Sequence, residues 1–118
     1  ICTVPYTPKT HALLNYKLFK KFKSPTYLIN VSRGNVQVEK DIIKAIDEGL
    51  LTGAFLDVFE QEPLPESSPL WTHKKVKITP HVASLTYPEE SVKQVLNCYD
   101  RLTKGQPLLQ QVSREKMY

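Results

Sequence analysis

The chain has 118 residues, 41% of them hydrophobic and 24% charged, and a formal net charge of +4, a balance ordinary for one modest globular domain. It has no apolar run near the roughly 18 residues that would cross a bilayer and no charged-then-apolar leader ending in small residues, so neither a membrane nor a secretory signal is expected. Cys2 and Cys98, the two cysteines, match neither a disulfide framework nor a CxxC metal site; a reducing, cytoplasmic setting and no bound metal are the expectations.

In chain order, Ile1-Cys2-Thr3-Val4-Pro5 reads as the end of a buried strand rather than a natural start, and the chain is expected to be a piece of a longer protein. A helix is expected from about Asn15 to Phe22, with Leu18, Phe19 and Phe22 as its buried stripe and Lys17, Lys20, Lys21 and Lys23 on its wet face. The same cluster would suit nucleic acid if the rings were exposed for stacking; with the rings buried, no nucleic-acid partner is expected. Tyr27–Val31 is short, β-branched and aromatic, as a buried strand should be. Ile42, Ile43, Ala45, Ile46 and Leu50 then recur at helical spacing, with Gly49 as the stop. Gly53 announces a second strand, Ala54–Val58, and Val76–Thr79 is a third, ended by Pro80. In the last helix Thr86 and Glu89 have capping-box spacing and Pro88 suits the first turn. Val92, Val95, Leu96, Tyr99 and Leu102 mark its apolar face, Cys98 joins them as a small core residue, and Gly105 closes it.

Strands alternating with helices imply crossovers and a parallel sheet, hence an open α/β layer structure. Such sheets bind ligands beyond the carboxyl ends of their strands, here just after Val31, Val58 and Thr79. Each of these places holds a side chain suited to chemistry. Ser32-Arg33-Gly34 offers a guanidinium, whose rigid fork of donors grips a carboxylate. Asp57 and, five residues on, Glu62 supply carboxylates. His81 supplies an imidazole able to give and take protons near neutrality. Alone, each has a bland explanation; at successive carboxyl edges of one sheet they would converge on one cleft. His11 and His73 sit at no predicted strand end and receive no role.

Leu28-Ile-Asn-Val-Ser-Arg-Gly-Asn35, Gly53-Ala-Phe-Leu-Asp-Val-Phe-Glu-Gln-Glu-Pro-Leu64 and Ile78-Thr-Pro-His81 resemble, in order and interval, the signature series of the D-isomer-specific 2-hydroxyacid dehydrogenases. Pro5-Tyr-Thr-Pro-Lys-Thr10-His-Ala-Leu-Leu-Asn15 resembles the family segment that passes close to the cofactor. Pro63–Trp71 and the tail from Gln111 to Tyr118 are most similar to the A-type glyoxylate/hydroxypyruvate reductases. The resemblance implies the C-terminal half of a Rossmann-type doubly wound sheet over residues 1–85, with 86–118 a helix and tail packing toward a substrate domain outside this chain. It implies that Arg33 holds a substrate carboxylate, that His81 is the acid–base histidine, and that Glu62 is its partner while Glu60 is not. It implies that Asp57 bonds the nicotinamide carboxamide and that Pro5, Thr10, Val31, Ser32, Arg33, His81 and Ala83 also border the cofactor.

The implied reaction is reduction of a small 2-keto acid of the glyoxylate/hydroxypyruvate class to its D-2-hydroxy acid by a homodimeric full-length protein. Chemically the roles cohere: hydride addition to a carbonyl leaves an alkoxide, and an imidazolium is well placed to protonate it. Only Gly34, Gly49, Gly53 and Gly105 are present, so there is no GxGxxG phosphate-binding loop. That loop, and the acid that would read the ribose, are expected upstream. NAD therefore stays undistinguished from NADP, and this chain alone is expected to be inactive, with an exposed edge strand and an uncovered apolar face. The alternative within the family is a dinucleotide-sensing, protein-binding corepressor without catalysis.

Overall fold

Three short runs rich in β-branched, aromatic and leucine side chains pair side by side: Thr26–Asn30 (β1), Leu51–Leu56 (β2) and Val76–Ile78 (β3). The sheet order is β1-β2-β3 and both pairings are parallel, as crossover connections require. The computed structural model describes residues 1–109 and 111–117. Cys2 makes one further parallel bridge on the free side of β1, through its amide to Ile29 O at 2.8 Å and its carbonyl to the Val31 amide at 3.3 Å.

The strands stop one or two residues earlier than their composition suggests, at Asn30, Leu56 and Ile78. At the first two ends a side chain takes over from the ladder. Asn30 Oδ1 accepts the Ser32 amide at 3.0 Å, and the Asp57 carboxylate accepts amides from the loop beyond β3. Side-chain acceptors of this kind offer the backbone an alternative to sheet pairing.

The first helix, α1 (Tyr16–Phe19), is shorter than expected. Asn15 caps it, its side chain accepting the Leu18 amide at 3.0 Å. The chain then tightens into successive three-residue turns, Leu18 O to the Lys21 amide and Phe19 O to the Phe22 amide. Phe19 is fully buried, but Phe22 is 37% exposed and meets Phe19 only edge-on at 6.0 Å. The expected three-residue stripe thus reduces to Phe19 and a half-buried Leu18.

Helix α2 (Glu39–Asp47) follows its pattern closely. Ile42, Ala45 and Ile46 are buried against β2, the isoleucines contributing about 1.5–3 kcal/mol each by burial. Gly49, at φ +77°, reverses the chain after the helix, a conformation any side chain with a Cβ would resist. Cys2, Leu14, Leu28, Val36, Leu51, Ala54, Leu56, Phe59 and Leu70 join Phe19, Ile42, Ala45 and Ile46 in the core.

The chain divides into two compact units, 1–83 and 84–118. In the second, α3 (Pro88–Thr103) starts with Pro88 in its first turn, where a missing N–H costs nothing. The capping box does not form: the N-cap is Tyr87, without a side-chain bond, so Thr86 stands one residue too early. Glu89 and Glu90 instead place negative charge on the first turn. Val92, Val95, Leu96, Tyr99 and Leu102 form one face as expected, but all are exposed and Cys98 is only half-buried, so this face is not core. No helix among the described residues is long and apolar enough to cross a membrane.

Candidate active site

The loop beyond β3 hangs on one carboxylate. Asp57, the first residue after β2, is 1% exposed. Its Oδ1 accepts the Val82 amide at 2.9 Å and the Thr79 hydroxyl, and its Oδ2 accepts the Ala83 amide at 2.9 Å. Its own carbonyl accepts the His81 amide, also at 2.9 Å. Burial pushes the Asp57 carboxyl up, but the Thr79 hydroxyl, the Ala83 and Val82 amides and the nearby His81 outweigh it and hold the group below its ordinary 3.8. These bonds sustain a costly backbone: His81 has φ +55°, in the left-handed region. Non-glycine residues stay there only when their surroundings over-determine them.

His81 Nδ1 lies 2.8 Å from Glu62 Oε2. A carboxylate at that nitrogen calls for a proton on Nδ1 and leaves Nε2 as the working nitrogen. The other Glu62 oxygen accepts the Phe59 amide at 3.0 Å, so the carboxylate is aimed by backbone on one side while it aims the imidazole on the other. For Glu62 too, burial is the largest influence and raises the carboxyl, as Asp57 does in smaller measure. The His81 bond, the Phe59 amide and the His81 charge prevail and keep it below 4.5. The pair stands partly open, with side chains 43% and 36% exposed, on the wall of a cavity of about 670 Å³ otherwise lined mainly by Phe59, Pro63, Leu64, Trp71 and Ile78. The Trp71 indole is fixed by donating to Pro65 O at 2.9 Å.

Glu60, two residues from Glu62, does something else. Its carboxylate accepts the Glu39 amide at 2.7 Å while Glu39 accepts the Glu60 amide at 2.8 Å. Glu60 thus caps α2 from outside, supplying the acceptor that the N-cap Val38 lacks. Burial, with the Glu60 charge adding to it, raises the Glu39 carboxyl despite the bond from the Glu60 amide.

Arg33 is exposed, and Nη1 donates to Ser32 O at 2.7 Å; among the described residues it forms no ion pair. What places it is its neighbour. A β-carbon on Gly34 would stand 1.7 Å from the Phe59 carbonyl oxygen, so the turn carrying Arg33 lies directly on the backbone whose amide aims Glu62. The residues expected at the cofactor are engaged within the chain. The Thr10 hydroxyl donates to Pro5 O at 2.7 Å and accepts the Thr7 amide at 2.8 Å, closing that segment into a turn. Ser32 is buried, its hydroxyl 2.7 Å from Asn30 Oδ1, Val31 is half-buried, and Ala83 is bound to Asp57 through its amide.

Two residues that sequence reasoning passed over join these pieces. Asn30 and Gln37 are both buried; Asn30 Nδ2 donates to Gln37 Oε1 at 2.8 Å, and Gln37 Nε2 donates to Val58 O at 2.9 Å. Their signal was a carboxamide inside an apolar run, Leu28-Ile29-Asn30-Val31 and Val36-Gln37-Val38, which buried structure requires to be hydrogen-bonded.

A histidine–glutamate pair thus stands at the carboxyl edge of a parallel sheet, with an arginine turn packed on the glutamate's loop. The family model of the D-isomer specific 2-hydroxyacid dehydrogenase NAD binding domain matches residues 1–83. The chain belongs to this dehydrogenase family. Its parallel sheet is accordingly part of the family's Rossmann-type NAD-binding domain. Among solved structures, it is similar to a D-isomer specific 2-hydroxyacid dehydrogenase from Xanthobacter autotrophicus Py2 in complex with NADPH and MES, at 39% identity and TM-score 0.94 over 98% of this chain and 48% of that one. It is similar to an NADPH-dependent glyoxylate/hydroxypyruvate reductase from Sinorhizobium meliloti in complex with NADP and sulfate, at 38% identity and TM-score 0.90 over 98% of this chain and 38% of that one. A probable 2-hydroxyacid dehydrogenase from Rhizobium etli, in complex with NADP, HEPES and L(+)-tartaric acid, matches at 39% identity and TM-score 0.88, again over 98% and 38%. The chain thus spans less than half the length of these dehydrogenases.

Proposed function

We propose that the full-length protein reduces a small 2-keto acid of the glyoxylate/hydroxypyruvate class to the D-2-hydroxy acid, using NADH or NADPH. The observation that carries this reading is the 2.8 Å contact between His81 Nδ1 and Glu62 at the open edge of the sheet. It leaves Nε2 free to give a proton to the carbonyl oxygen, while Glu62 balances the charge of the imidazolium. Arg33, exposed on its turn beside Phe59, holds the substrate carboxylate. When bound, the reduced dinucleotide supplies the hydride. Its nicotinamide end fits the residues present: Pro5, Thr10, Val31, Ser32, Arg33, Asp57, His81 and Ala83 would border it. The chemistry suits the donors: backbone amides and short side chains, the Arg33 guanidinium and the His81 imidazole, with one buried acid, Asp57, that still has a lone pair beyond its three bonds.

The Sinorhizobium meliloti reductase supports the substrate class, and the relatives solved with NADP or NADPH make the phosphorylated cofactor the first to try. Residues 86–118 are proposed to pack toward the substrate domain, whose cover the exposed face of α3 would need, and the full-length protein is proposed to be a homodimer.

The test follows NADH and NADPH oxidation by the full-length protein with glyoxylate, hydroxypyruvate and phenylpyruvate, wild type beside His81→Ala. Turnover that His81→Ala lowers by about 100-fold or more supports the reading, and the preferred pair names cofactor and substrate. Cofactor binding without turnover of any of the three would favour the dinucleotide-sensing, protein-binding role instead.

A further inference from the structure

Gln37 lies at the junction of the three segments that build the site, yet its side chain faces none of the open space around His81. The residue as a whole is 2% exposed. Oε1 accepts from Asn30 at the end of β1, and Nε2 donates to the Val58 carbonyl just past β2. Its backbone bridges in parallel to Leu14, with the Val38 amide donating to Leu14 O at 3.0 Å and the Leu14 amide to Val36 O at 2.9 Å. One residue therefore ties the segment 5–15, the Arg33 turn and the loop that begins at Asp57.

The geometry beyond Gln37 is tight. Asn30 carries the near side of the turn, its Oδ1 accepting the Ser32 amide at 3.0 Å and hydroxyl at 2.7 Å. The far side is Gly34, with no room between its α-carbon and Phe59 O. From Phe59 the chain of contacts runs through its amide to Glu62 and on to His81. Asn30 and Gln37 thus close a buried strut between the strand that launches Arg33 and the strand whose following loop launches Glu62. A buried carboxamide with both ends bonded has a single low-energy orientation, since any rotation leaves a donor or acceptor unmatched. An apolar side chain of equal volume would fill the space without dictating the spacing.

We infer that Gln37 is a positioning residue for substrate binding: its carboxamide sets the Arg33 turn against the Phe59–Glu62 loop, and so fixes how far the Arg33 guanidinium stands from His81. It does not touch substrate. The inference rests on the proposed roles of Arg33 and His81, and it adds that the grip on the substrate carboxylate is tuned through Gln37.

The test is a double-mutant cycle in the full-length protein, comparing wild type, Gln37→Met, Arg33→Ala and the double variant. Methionine matches glutamine closely in volume and removes both bonds. KM for the keto acid, KM for the reduced cofactor, kcat against pH and thermal unfolding are measured for each. Gln37→Met should raise KM for the keto acid about tenfold, the scale of one or two lost hydrogen bonds, with KM for cofactor and the shape of the pH profile held. That increase should vanish in the Arg33→Ala background, because the guanidinium through which Gln37 acts is gone. An unchanged KM, or the same increase with and without Arg33, overturns the inference and leaves Gln37 a core residue only. If Gln37→Met does not fold, Gln37→Asn takes its place in the cycle: it is one methylene short of spanning Asn30 and Val58, and the same outcomes decide. Should Arg33→Ala itself leave the keto-acid KM unchanged, the proposed role of Arg33 fails, and this inference with it. An Arg33 effect without a Gln37 effect defeats the inference alone.

Discussion

Gly34 and Phe59 are in backbone contact: the missing β-carbon of Gly34 would occupy the position of the Phe59 carbonyl, 1.7 Å from its oxygen. Through that contact the turn bearing Arg33 rests on the loop bearing Glu62, and the obstacle is main chain, which cannot swing aside as a side chain would.

Gly34→Ala must therefore displace one segment or the other. Overpacking of this kind costs roughly 1–3 kcal/mol, and the expected result is a lower urea midpoint with an unchanged m-value, together with a raised KM for the keto acid. A variant of wild-type stability and wild-type KM would show that the two segments part freely.

Asp57 links the fold to pH. Its folded carboxyl sits below the ordinary 3.8, so the unfolded state binds the proton more readily than the folded one. The resulting stability is present above the unfolded value, and is lost as pH falls through the folded value. Asp57→Asn should flatten that acid limb in urea unfolding curves taken at successive pH values. Near neutrality the variant should be destabilised by about 1–3 kcal/mol, since one amide nitrogen now faces the backbone donors that Asp57 satisfied. An acid limb as steep as wild type would place the linkage elsewhere.

Glu62 reports on its partner. Its carboxyl is held below 4.5, against the effect of burial, chiefly by the bond to His81. In His81→Leu that influence disappears, and the Glu62 carboxyl carbon, followed by NMR, should titrate at higher pH than in wild type. The stability it contributes above its unfolded value, lost as pH falls through the folded value, should shrink accordingly. A titration that stays in place would mean the pair does not form in solution.

Glu60 and Glu62 should separate cleanly on substitution. Glu60→Ala removes the outside cap of α2, at a cost of about 1 kcal/mol, and should leave kcat within about twofold because Glu60 does not reach His81. Glu62→Gln should lower kcat by about tenfold or more, together with a modest fall in the urea midpoint near neutrality, where the stability its carboxylate contributes is lost. Equal kinetic losses in the two variants would remove the distinction between the acids.

What the amino-acid sequence determined by itself was the alternation of elements and the places where chemistry could sit. Apolar runs at β1 and β2 and the helical spacing of Ile42, Ala45 and Ile46 are local patterns, and a parallel sheet follows from their order. From that order came the carboxyl edges where Arg33, Asp57 and His81 stand. Tertiary structure alone decided how these residues use their atoms. Apart from the family resemblance, no local pattern distinguishes Glu60 from Glu62: in the fold one accepts the Glu39 amide and caps α2, and the other meets His81. Asp57, expected at a ligand, is also the group from which the loop bearing His81 hangs. Gln37 acquires its importance only from Asn30 and Val58, seven and twenty-one residues away. The physical reason is common to all three. Periodicity records which side of an element faces the core, whereas a polar atom's partner is chosen by desolvation, once burial leaves it no water to bond and the nearest matching group belongs to a distant segment.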